Sequence, residues 1–185
     1  MEKTQVKVNS SFKVCNDFLP ASDFSLVQQT FASDSFPWYW GQNVLSEDYT
    51  TSDSYRCSEE DNFQFVHWIY TDARPINEYF DTVVPIINKL RVGAICKIKA
   101  NLNPRTEETV EHGFHCDQDW IGTKTAVYYV NTCNGYTLFE ESGEKVYSKA
   151  NRLVVFDGPT SHTGSTCTDE KRRIVINFNY YEVDK

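Results

Sequence analysis

The chain has 185 residues, about the length of one domain, and its 40% hydrophobic and 15% aromatic residues are too many for a disordered protein. With only 8 Gly and 6 Pro, collagen-like and low-complexity architectures are excluded. The 26 acidic against 18 basic residues give a net charge of -8, which disfavours binding to nucleic-acid phosphates but leaves room for a local basic mouth that binds a small anion.

The cysteines and the lack of targeting segments predict a cellular compartment. No two cysteines form a CxxC pair, and the polar residues 1–16 lack the apolar stretch of a secretory signal. There is also no run of about 18 apolar residues that would span a membrane. We therefore expect a cytoplasmic protein without membrane contacts, with free thiols at every cysteine instead of three disulfides. These cysteines are Cys15, Cys57, Cys96, Cys116, Cys133 and Cys167.

The first half of the chain predicts helices. Ser22 is a candidate N-cap for a helix with apolar residues at spacings of three and four. A second helical pattern follows an extended aromatic run at residues 63–70, and Pro85 inside it predicts a kink or a break. We expect this helical support to occupy roughly residues 17–91. The apolar positions are Phe24, Val27 and Phe31 in the first pattern, and Ile76, Phe80, Val83, Ile87 and Leu90 in the second.

From Val92 onward the hydrophobic period changes to two, which is typical of β-strands. Turn signals at Asn134-Gly135, Ser142-Gly143 and Gly158-Pro159 separate the strands. We expect an α+β, mainly β fold, an antiparallel sandwich or barrel at roughly residues 92–183, with the helices on one outer face and residues 1–185 in one domain. The predicted strands cover residues 96–102, 109–116, 124–131, 136–141, 152–157 and 173–180.

The strongest chemical feature is the pair His115 and Asp117. On a strand, side chains two residues apart point the same way, so the imidazole and the carboxylate converge on one point. His162 follows a strand and the Gly158-Pro159 turn, in a segment that can return beside the first. Two histidines and one carboxylate with open coordination positions form the facial triad of non-haem iron(II) oxygenases.

The competing interpretation is that this pair is only a solvated hydrogen-bonding pair, which is the commoner role of a His with an Asp nearby. The other histidines predict structural roles. His112 lies an odd number of residues from His115, so on a regular strand it faces away and is a surface or packing residue. His67 lies in an aromatic run and is expected in the core, and Cys116 is expected to point away from the metal.

The last predicted strand begins with two arginines. Alternation places Arg173, Val175, Asn177 and Asn179 on a mixed face that suits a polar cavity. Arg173 would lie at the end of that cavity, where its planar guanidinium can hold a carboxylate. Its alternative role is a surface salt bridge, and Arg172 is expected to be a solvated charge at the strand end.

The strand at residues 124–131 also has one polar face. Thr125, Tyr129 and Asn131 share that face, while Ala126, Tyr128 and Val130 share the other. A hydroxyl, a phenol and an amide on one face suit a ligand cavity, although the pattern alone indicates only an amphipathic strand.

Taken in order, these segments resemble the 2-oxoglutarate- and iron(II)-dependent dioxygenases of the prolyl 4-hydroxylase-like type. After His115-x-Asp117, residues 128–131 (YYVN) resemble the family's YYLN strand, and residues 135–139 (GYTLF) resemble its GGxTxF segment. Residues 151–158 then lead to His162, and Arg173 begins a strand similar to RxSxxFN. Residues 17–20, 36–38 and 97–102 are similar to phage and marine microbial members. The chain departs from the family at Val130, Tyr136 and Asn177, which affects the fine shape of the pocket.

The resemblance implies a double-stranded β-helix, or jelly roll, with Fe(II) on His115, Asp117 and His162. It implies that 2-oxoglutarate is the co-substrate, with its distal carboxylate on Arg173 and assistance from Tyr129. Asn177, Thr125 and Asn131 complete the predicted co-substrate pocket, and ascorbate is an expected supporting reductant. Lys97 or Lys99 is the alternative partner of the carboxylate, because some relatives use a lysine.

The implied activity is hydroxylation of a peptidyl residue of the prolyl type or of a small molecule, with release of succinate and CO2. The alternatives are a non-enzymatic metal-binding jelly roll, an interaction module with a degenerate site, and a nucleic-acid demethylase, which the net charge of -8 disfavours. We expect no nucleic-acid or membrane partner. Residues 41–62, 104–111 and 118–124 are candidate lid segments, and the sequence leaves the substrate and the oligomeric state open.

Overall fold

The computed structural model describes residues 6–8, 11–44 and 57–183. The helices and strands of these residues, in chain order, are β1 (Val6–Val8), β2 (Phe12–Cys15), α1 (Ala21–Phe31), β3 (Tyr39–Gly41), β4 (Gln64–Thr71), β5 (Arg74–Pro75), α2 (Phe80–Lys89), β6 (Val92–Pro104), β7 (Thr123–Tyr129), β8 (Tyr136–Phe139), β9 (Lys145–Tyr147), β10 (Arg152–Asp157), β11 (His162–Gly164) and β12 (Arg172–Glu182).

Two antiparallel sheets form the body of the protein. The larger sheet has the order β1-β2-β10-β7-β12-β6-β4-β3, with β5 paired to β4, and the smaller has the order β11-β8-β9. Apolar side chains from both sheets meet between them in one cluster, which includes Val127, Val154 and Val175 of the larger sheet and Phe139 and Val146 of the smaller. This two-sheet jelly roll with few helices confirms the predicted mainly β fold class.

Strand β12 sorts its side chains by alternation, as predicted. Ile174, Ile176 and Phe178 are buried in the cluster that includes the helices, while Val175 packs between the sheets. Arg173 lies opposite Asn103 of β6 in the strand register and is also buried. One face of this strand therefore supports the helices, and the other faces the interior of the jelly roll.

Both helices pack on the outer face of the larger sheet, through Val27 and Phe31 of α1 and Val83 and Ile86 of α2. Their ends differ from the prediction. Helix α1 begins at Ala21 after Pro20, so Ser22 lies inside the first turn and no side chain caps the helix. This start agrees with the fixed φ of proline, which suits a helix terminus.

The second helix is shorter than its hydrophobic pattern. It begins at Phe80, so Ile76 lies outside it and is 43% exposed. Pro85 does not divide the helix, which continues to Lys89. Because proline has no N–H, the carbonyl of Asp81 receives no hydrogen bond from position 85, and the helix tolerates the loss of this one bond.

The first half of the chain is less helical than predicted. The run at residues 63–70 is extended, as predicted, and its strand β4 pairs with β6 along residues 65–70. Strands β3 and β5 pair with β4, so the three strands extend the larger sheet. The predicted strand at residues 109–116 is irregular and is joined to the neighbouring chain by isolated bridges, which include Glu111 to Ser165 and His115 to His162. Gly113, with φ of 145°, interrupts the regular alternation of that segment.

His67 is a core residue, as expected from its aromatic surroundings. Its Nδ1 lies 2.7 Å from the carbonyl of Pro37 and its Nε2 lies 2.9 Å from the side-chain amide of Asn77. Phe36 packs at a tilt against the same ring and is buried, whereas Tyr39 and Trp40 are exposed. Of the candidate lid at residues 41–62, residues 45–56 lie outside the described residues. Neither helix in the described ranges is long and apolar enough to cross a membrane.

Asn151 links the N-terminal segment to the sheet through side-chain hydrogen bonds. Its Oδ1 accepts hydrogen bonds from the Leu19 backbone N–H and the Tyr128 hydroxyl, and its Nδ2 donates to the Leu19 carbonyl. Its φ of 62° lies in the left-handed region, which asparagine tolerates better than most residues.

Replacing Asn151 by Ala should lower the free energy of unfolding by about 3 kcal/mol, at about 1 kcal/mol for each lost hydrogen bond. The measurement is urea denaturation. Asn134→Ala is the matched control, because the exposed Asn134 also makes two side-chain hydrogen bonds, both to Thr168, and should lose under about 1 kcal/mol. Equal losses in the two variants would contradict this role for Asn151.

The six cysteines are free in the structure, including Cys133 and Cys167, whose sulfur atoms lie within 4.8 Å of each other in the core. We therefore expect alkylation of the native protein under denaturing, non-reducing conditions to modify six thiols. Intact-mass analysis is the measurement, and a sample reduced beforehand is the control. A mass that corresponds to four modified thiols would place a disulfide at this buried pair.

Candidate metal centre

Two backbone hydrogen bonds bring His115 beside His162. The His115 N–H donates to the His162 carbonyl at 2.9 Å, and the His162 N–H donates to the His115 carbonyl at 3.0 Å. The two imidazole rings lie side by side, with centroids 4.7 Å apart. This bridge joins the irregular segment before β7 to the first residue of β11, so the protein backbone itself fixes the distance between the two side chains.

Asp117 completes the group. Its Oδ1 lies 3.9 Å from Nε2 of His115, and its Oδ2 lies 3.9 Å from Nε2 of His162. One ligand atom from each of the three residues lies within 4.8 Å of the others. The structure therefore brings together the three residues that the sequence predicts as metal ligands.

Two buried polar residues hold the carboxylate. Asn179 of β12 donates from Nδ2 to Oδ2 of Asp117 at 3.2 Å and to Oγ1 of Thr125 at 2.8 Å. Thr125 and Asn179 lie opposite each other in the register of β7 and β12, and both are fully buried. Thr125 therefore orients Asn179, which orients Asp117, and such outer partners fix the geometry of metal ligands.

The protonation states of the group suit a metal ion. Burial, with the nearby His162, lowers the pKa of His115 to about 4, so its imidazole is neutral at pH 7. Burial alone would raise the pKa of Asp117, but the two histidines, Lys97 and the Asn179 hydrogen bond outweigh it and hold that pKa well below its usual range. Neutral imidazole and ionised carboxylate are the forms that bind metals.

The tautomers also point the ligand atoms toward Asp117. Nδ1 of His115 lies 3.3 Å from the Gly113 carbonyl, and Nδ1 of His162 lies 3.0 Å from the Thr160 carbonyl. A carbonyl oxygen accepts only, so each Nδ1 carries the proton and each Nε2 keeps a free lone pair. The two free Nε2 atoms are the ones that face the carboxylate.

A narrow cavity leads from this group into the jelly roll and ends at Arg173. Arg173 is 2% exposed, its Nε donates to Ser148 Oγ at 2.8 Å and its Nη2 to Thr137 Oγ1 at 3.3 Å. Burial lowers its pKa, and among the described residues no carboxylate forms an ion pair with it. The cavity is lined by Val44, Gln64, Lys99, Asn101, Asn103, His112, His115, Asp117, Val127, Thr137, His162, Gly164, Arg173, Val175 and Asn177.

Tyr129 and Gly135 shape the end of the cavity at which Arg173 lies. The Tyr129 hydroxyl donates to Thr137 Oγ1 at 2.8 Å, and the guanidinium carbon of Arg173 lies 5.6 Å from the centre of the phenol ring. Burial raises the pKa of Tyr129, so its hydroxyl stays protonated. A Cβ atom at Gly135 would lie 2.6 Å from Cδ of Arg173, so only glycine leaves room for this side chain.

Of the remaining predicted pocket residues, some lie at the cavity and others do not. Asn177 lines the cavity, where its buried Oδ1 has no hydrogen-bond partner among the described residues. Thr125 lies behind Asp117, as described above. Asn131 does not reach the cavity, because the chain has left β7 and its amide is bonded to the backbone of Arg172 and Ile174. Arg172 is not a solvated charge, since it donates to the carbonyl of Ala32 at the end of α1.

His112 lies in the cavity, contrary to the prediction from strand alternation. It is 2% exposed, its Nδ1 lies 3.3 Å from the Gly164 carbonyl, and its buried Nε2 has no partner among the described residues. The prediction assumed a regular strand, but Gly113 interrupts it. The sequence carried no signal for this position.

Other residues of the site were overlooked although the sequence contained a signal for them. Asn101 and Asn103 of β6 line the cavity, and each has a buried amide atom without a partner in the described part of the chain. Both alternate with Ala100 and Leu102, which are buried on the helix side. The same alternation in β12 places Asn179 beneath Asp117. Buried polar residues on an otherwise apolar strand were the available signal.

Comparison with known proteins supports the architecture. No protein-family model matches the chain, and no curated protein matches its sequence. A prolyl hydroxylase from Trichoplax adhaerens, solved with a hypoxia inducible factor peptide, is 18% identical, with a TM-score of 0.61 over 94% of this chain and 84% of its own. A 2OG-Fe(II) oxygenase family oxidoreductase from Burkholderia pseudomallei is 12% identical, with a TM-score of 0.66 over 92% and 85%.

The epimerase SnoN, solved with Fe3+, α-ketoglutarate and nogalamycin RO, is 10% identical, with a TM-score of 0.60 over 93% of this chain and 79% of its own. These similarities define the fold: the chain has the jelly roll of 2-oxoglutarate- and iron-dependent oxygenases. The resemblance to the prolyl 4-hydroxylase-like type is thereby confirmed for the fold.

The buried His112 predicts a loss of stability in acid. Burial lowers the pKa of His112 to about 4, so below the unfolded pKa of about 6.5 the unfolded chain binds a proton that the folded chain excludes. The stabilising contribution is complete above about pH 6.5 and is lost as the pH falls toward 4; at pH 5 the loss is about 2 kcal/mol.

In the His112→Gln variant this proton-binding group is absent. The fall in the free energy of unfolding between about pH 7.5 and 5 should therefore be smaller than in the wild type by about 2 kcal/mol. Urea denaturation of the metal-free protein at both pH values is the measurement. The same pH dependence in both proteins would mean that His112 is not buried in its neutral form.

Proposed function

We propose that the protein is an Fe(II)- and 2-oxoglutarate-dependent dioxygenase that hydroxylates a peptidyl residue of the prolyl type or a small molecule. One observation carries the proposal. The cavity has a His115–Asp117–His162 group at one end and a buried cation, Arg173, without a carboxylate partner among the described groups at the other. A single molecule with a metal-chelating end and a carboxylate end fits both requirements.

The donor set fits ferrous iron. Two imidazoles and one carboxylate leave several coordination positions open, and this ligand type suits non-haem Fe(II). His115 and His162 would bind through Nε2, because their Nδ1 atoms are bonded to carbonyls. Asn179 would keep Asp117 oriented as the third ligand.

The cavity fits 2-oxoglutarate, which has a keto acid at one end and a carboxylate at the other. Arg173 would hold the distal carboxylate in a dry site, where a charge-assisted pair is strong. Thr137 and Tyr129 support the guanidinium and the hydroxyl network next to it. Once bound, iron and 2-oxoglutarate supply the oxidising chemistry, in which dioxygen is consumed, succinate and CO2 are released and a C–H bond is hydroxylated.

The chain's own residues then bind, orient and exclude water. The apolar cluster between the sheets, including Val127 and Val175, lines one wall of the cavity and keeps it dry. Asn177 and Asn101 offer buried amides at the wall, where a bound molecule or a water would satisfy them. The substrate would approach the metal from the opposite side.

The comparisons support this reading without naming the substrate. Proteins with the same fold are solved in complex with a peptide in one case and with a small molecule in another. A metal-binding jelly roll without activity has no need of the buried Arg173, and the net charge of -8 disfavours a nucleic-acid substrate. We further infer a single catalytic domain in the cytoplasm, in keeping with the free thiols.

Arg173→Ala should weaken 2-oxoglutarate binding by about 2–4 kcal/mol, because a charge-assisted bidentate pair is lost from a buried site. Isothermal titration of the Fe(II)-loaded protein without oxygen is the measurement. Arg172→Ala is the matched control, since its side chain contacts α1 and not the cavity. A larger loss of affinity in the Arg172 variant would contradict the assignment.

The activity itself is tested by succinate formation. With Fe(II), oxygen and 2-oxoglutarate, the wild type should form succinate slowly even without substrate, and Asp117→Ala should reduce that rate to background together with its affinity for iron. Asp157→Ala is the control, because Asp157 is exposed and pairs with Lys124 away from the cavity. Equal rates in the wild type and the Asp117 variant would rule out an oxidative site.

A further inference from the structure

A second cavity meets the first one at the metal centre. Its volume is about 560 Å3, within the usual range for ligand pockets. Val44, Lys99, His115 and Asp117 line both cavities, so a metal ion on the triad would lie between them. We call this second cavity the outer cleft, and its other lining residues are Asn43, Trp68, Lys97, Cys116, Gln118, Asp119 and Trp120.

The outer cleft contains two ammonium groups close to the triad. Lys97 donates from Nζ to the backbone carbonyl of Asp117 at 3.2 Å, and Nζ of Lys99 lies 5.3 Å from the centre of the Trp68 ring. Among the described residues, no carboxylate forms an ion pair with either lysine. Each ammonium therefore retains hydrogen-bond donors for a ligand.

The charge of the outer cleft depends on what the triad holds. Its formal charges are two lysines and two aspartates, Asp117 and Asp119, so they cancel. A divalent ion on the triad adds two positive charges, and the 2-oxoglutarate carboxylate that reaches the metal offsets one of them. The loaded cleft thus keeps one unbalanced positive charge, although the whole chain has a net charge of -8. A ligand with one negative charge would neutralise it.

Two tryptophans give the cleft an apolar wall. Trp68 is 40% exposed and Trp120 is 61% exposed, so neither is needed to fill the core. Large aromatic side chains left open beside a cavity offer flat surfaces on which a ring can stack. The cleft therefore combines cations with flat apolar surfaces.

We propose that the outer cleft binds a small carboxylic acid with a ring or another flat apolar body as the prime substrate. Lys97 and Lys99 hold its carboxylate, and Trp68 and Trp120 hold its body beside the triad. This inference rests on the proposed function, because the C–H bond to be hydroxylated has to lie next to the metal. It favours a free acid over a residue inside a peptide, which has no carboxylate beside its ring.

The carboxylate that the lysines attract has two possible sources, the co-substrate and the substrate. Lys99 lines both cavities and does not separate them, whereas Lys97 lines only the outer cleft. Lys97 is therefore the position that distinguishes the two, and Lys124, which pairs with Asp157 elsewhere on the surface, is its matched control.

The test compares indole-3-acetate with indole-3-acetamide, two probes of similar shape that differ in one group, a carboxylate in the first and a neutral amide in the second. Isothermal titration is performed on the full chain loaded with Fe(II) and saturated with 2-oxoglutarate, without oxygen. We expect the acid to bind about tenfold more tightly than the amide, because it gains a charge-assisted contact. Lys97→Met should abolish the preference, and Lys124→Met should preserve it. Trp120→Ala, at an exposed position, should weaken the binding of the acid and of the amide by the same factor.

Equal affinities of the acid and the amide for the wild type would overturn the proposal. So would a Lys97→Met variant that loses as much affinity for 2-oxoglutarate as for the acid, since the anion would then be the co-substrate. These titrations need no turnover and are independent of the succinate assay. If the protein forms succinate but binds the two probes equally, only the inference about the outer cleft is wrong. If it discriminates between the probes but forms no succinate, the proposed function is wrong.

Discussion

The reciprocal backbone pair between His115 and His162 is the interaction on which the site depends. The two residues come from distant parts of the chain, and each contributes one N–H and one carbonyl to the pair. Backbone hydrogen bonds set strand separation within narrow limits, so the imidazoles are held side by side by main-chain geometry. Side-chain packing alone would leave more freedom. Asp117 lies two residues after His115, which is close enough for its carboxylate to face both rings.

Strand β12 connects this bridge to the rest of the protein. Its inward residues are Asn179, which holds Asp117, then Asn177 at the cavity wall, then Arg173 at the far end. Its outward residues form the surface on which the helices pack. The apolar core thus fixes the strand, and the strand in turn spaces the two polar ends of the cavity. A shift of the strand by one residue would exchange the two faces and destroy core and site together.

Desolvation gives the polar residues of the cavity their character. Arg173 and His112 are each 2% exposed, and burial lowers the pKa of both. The cost of burying a cation is acceptable where a ligand anion meets it, which is why an arginine without a carboxylate partner indicates a ligand site. On the solvent side of the triad, Lys97 and Lys99 lie at a wider opening beside exposed tryptophans. The two sides of the triad therefore offer different chemical environments.

The sequence by itself determined the elements that depend on local spacing. Alternation in β7 and β12 separated core from cavity at Tyr129, Arg173 and Asn177, because the side-chain period of a strand is independent of its partners. The candidate triad could be predicted in part from the spacing of His115 and Asp117 and from the order of motifs, which supplied His162, although the backbone at His115 is not a regular strand.

Only the tertiary structure decided the rest. Gly113 breaks the strand before His115, and that break turns His112 into the cavity; alternation cannot anticipate such a break. Asn131 was misplaced because the chain leaves β7 after Tyr129 and uses the amide to bind the backbone of its neighbour. The extended run at residues 63–70 was predicted, but its pairing with β6 in the larger sheet was not. In each case a contact between residues far apart in sequence prevailed over the local pattern, because long-range pairing and burial carry more free energy than local preference.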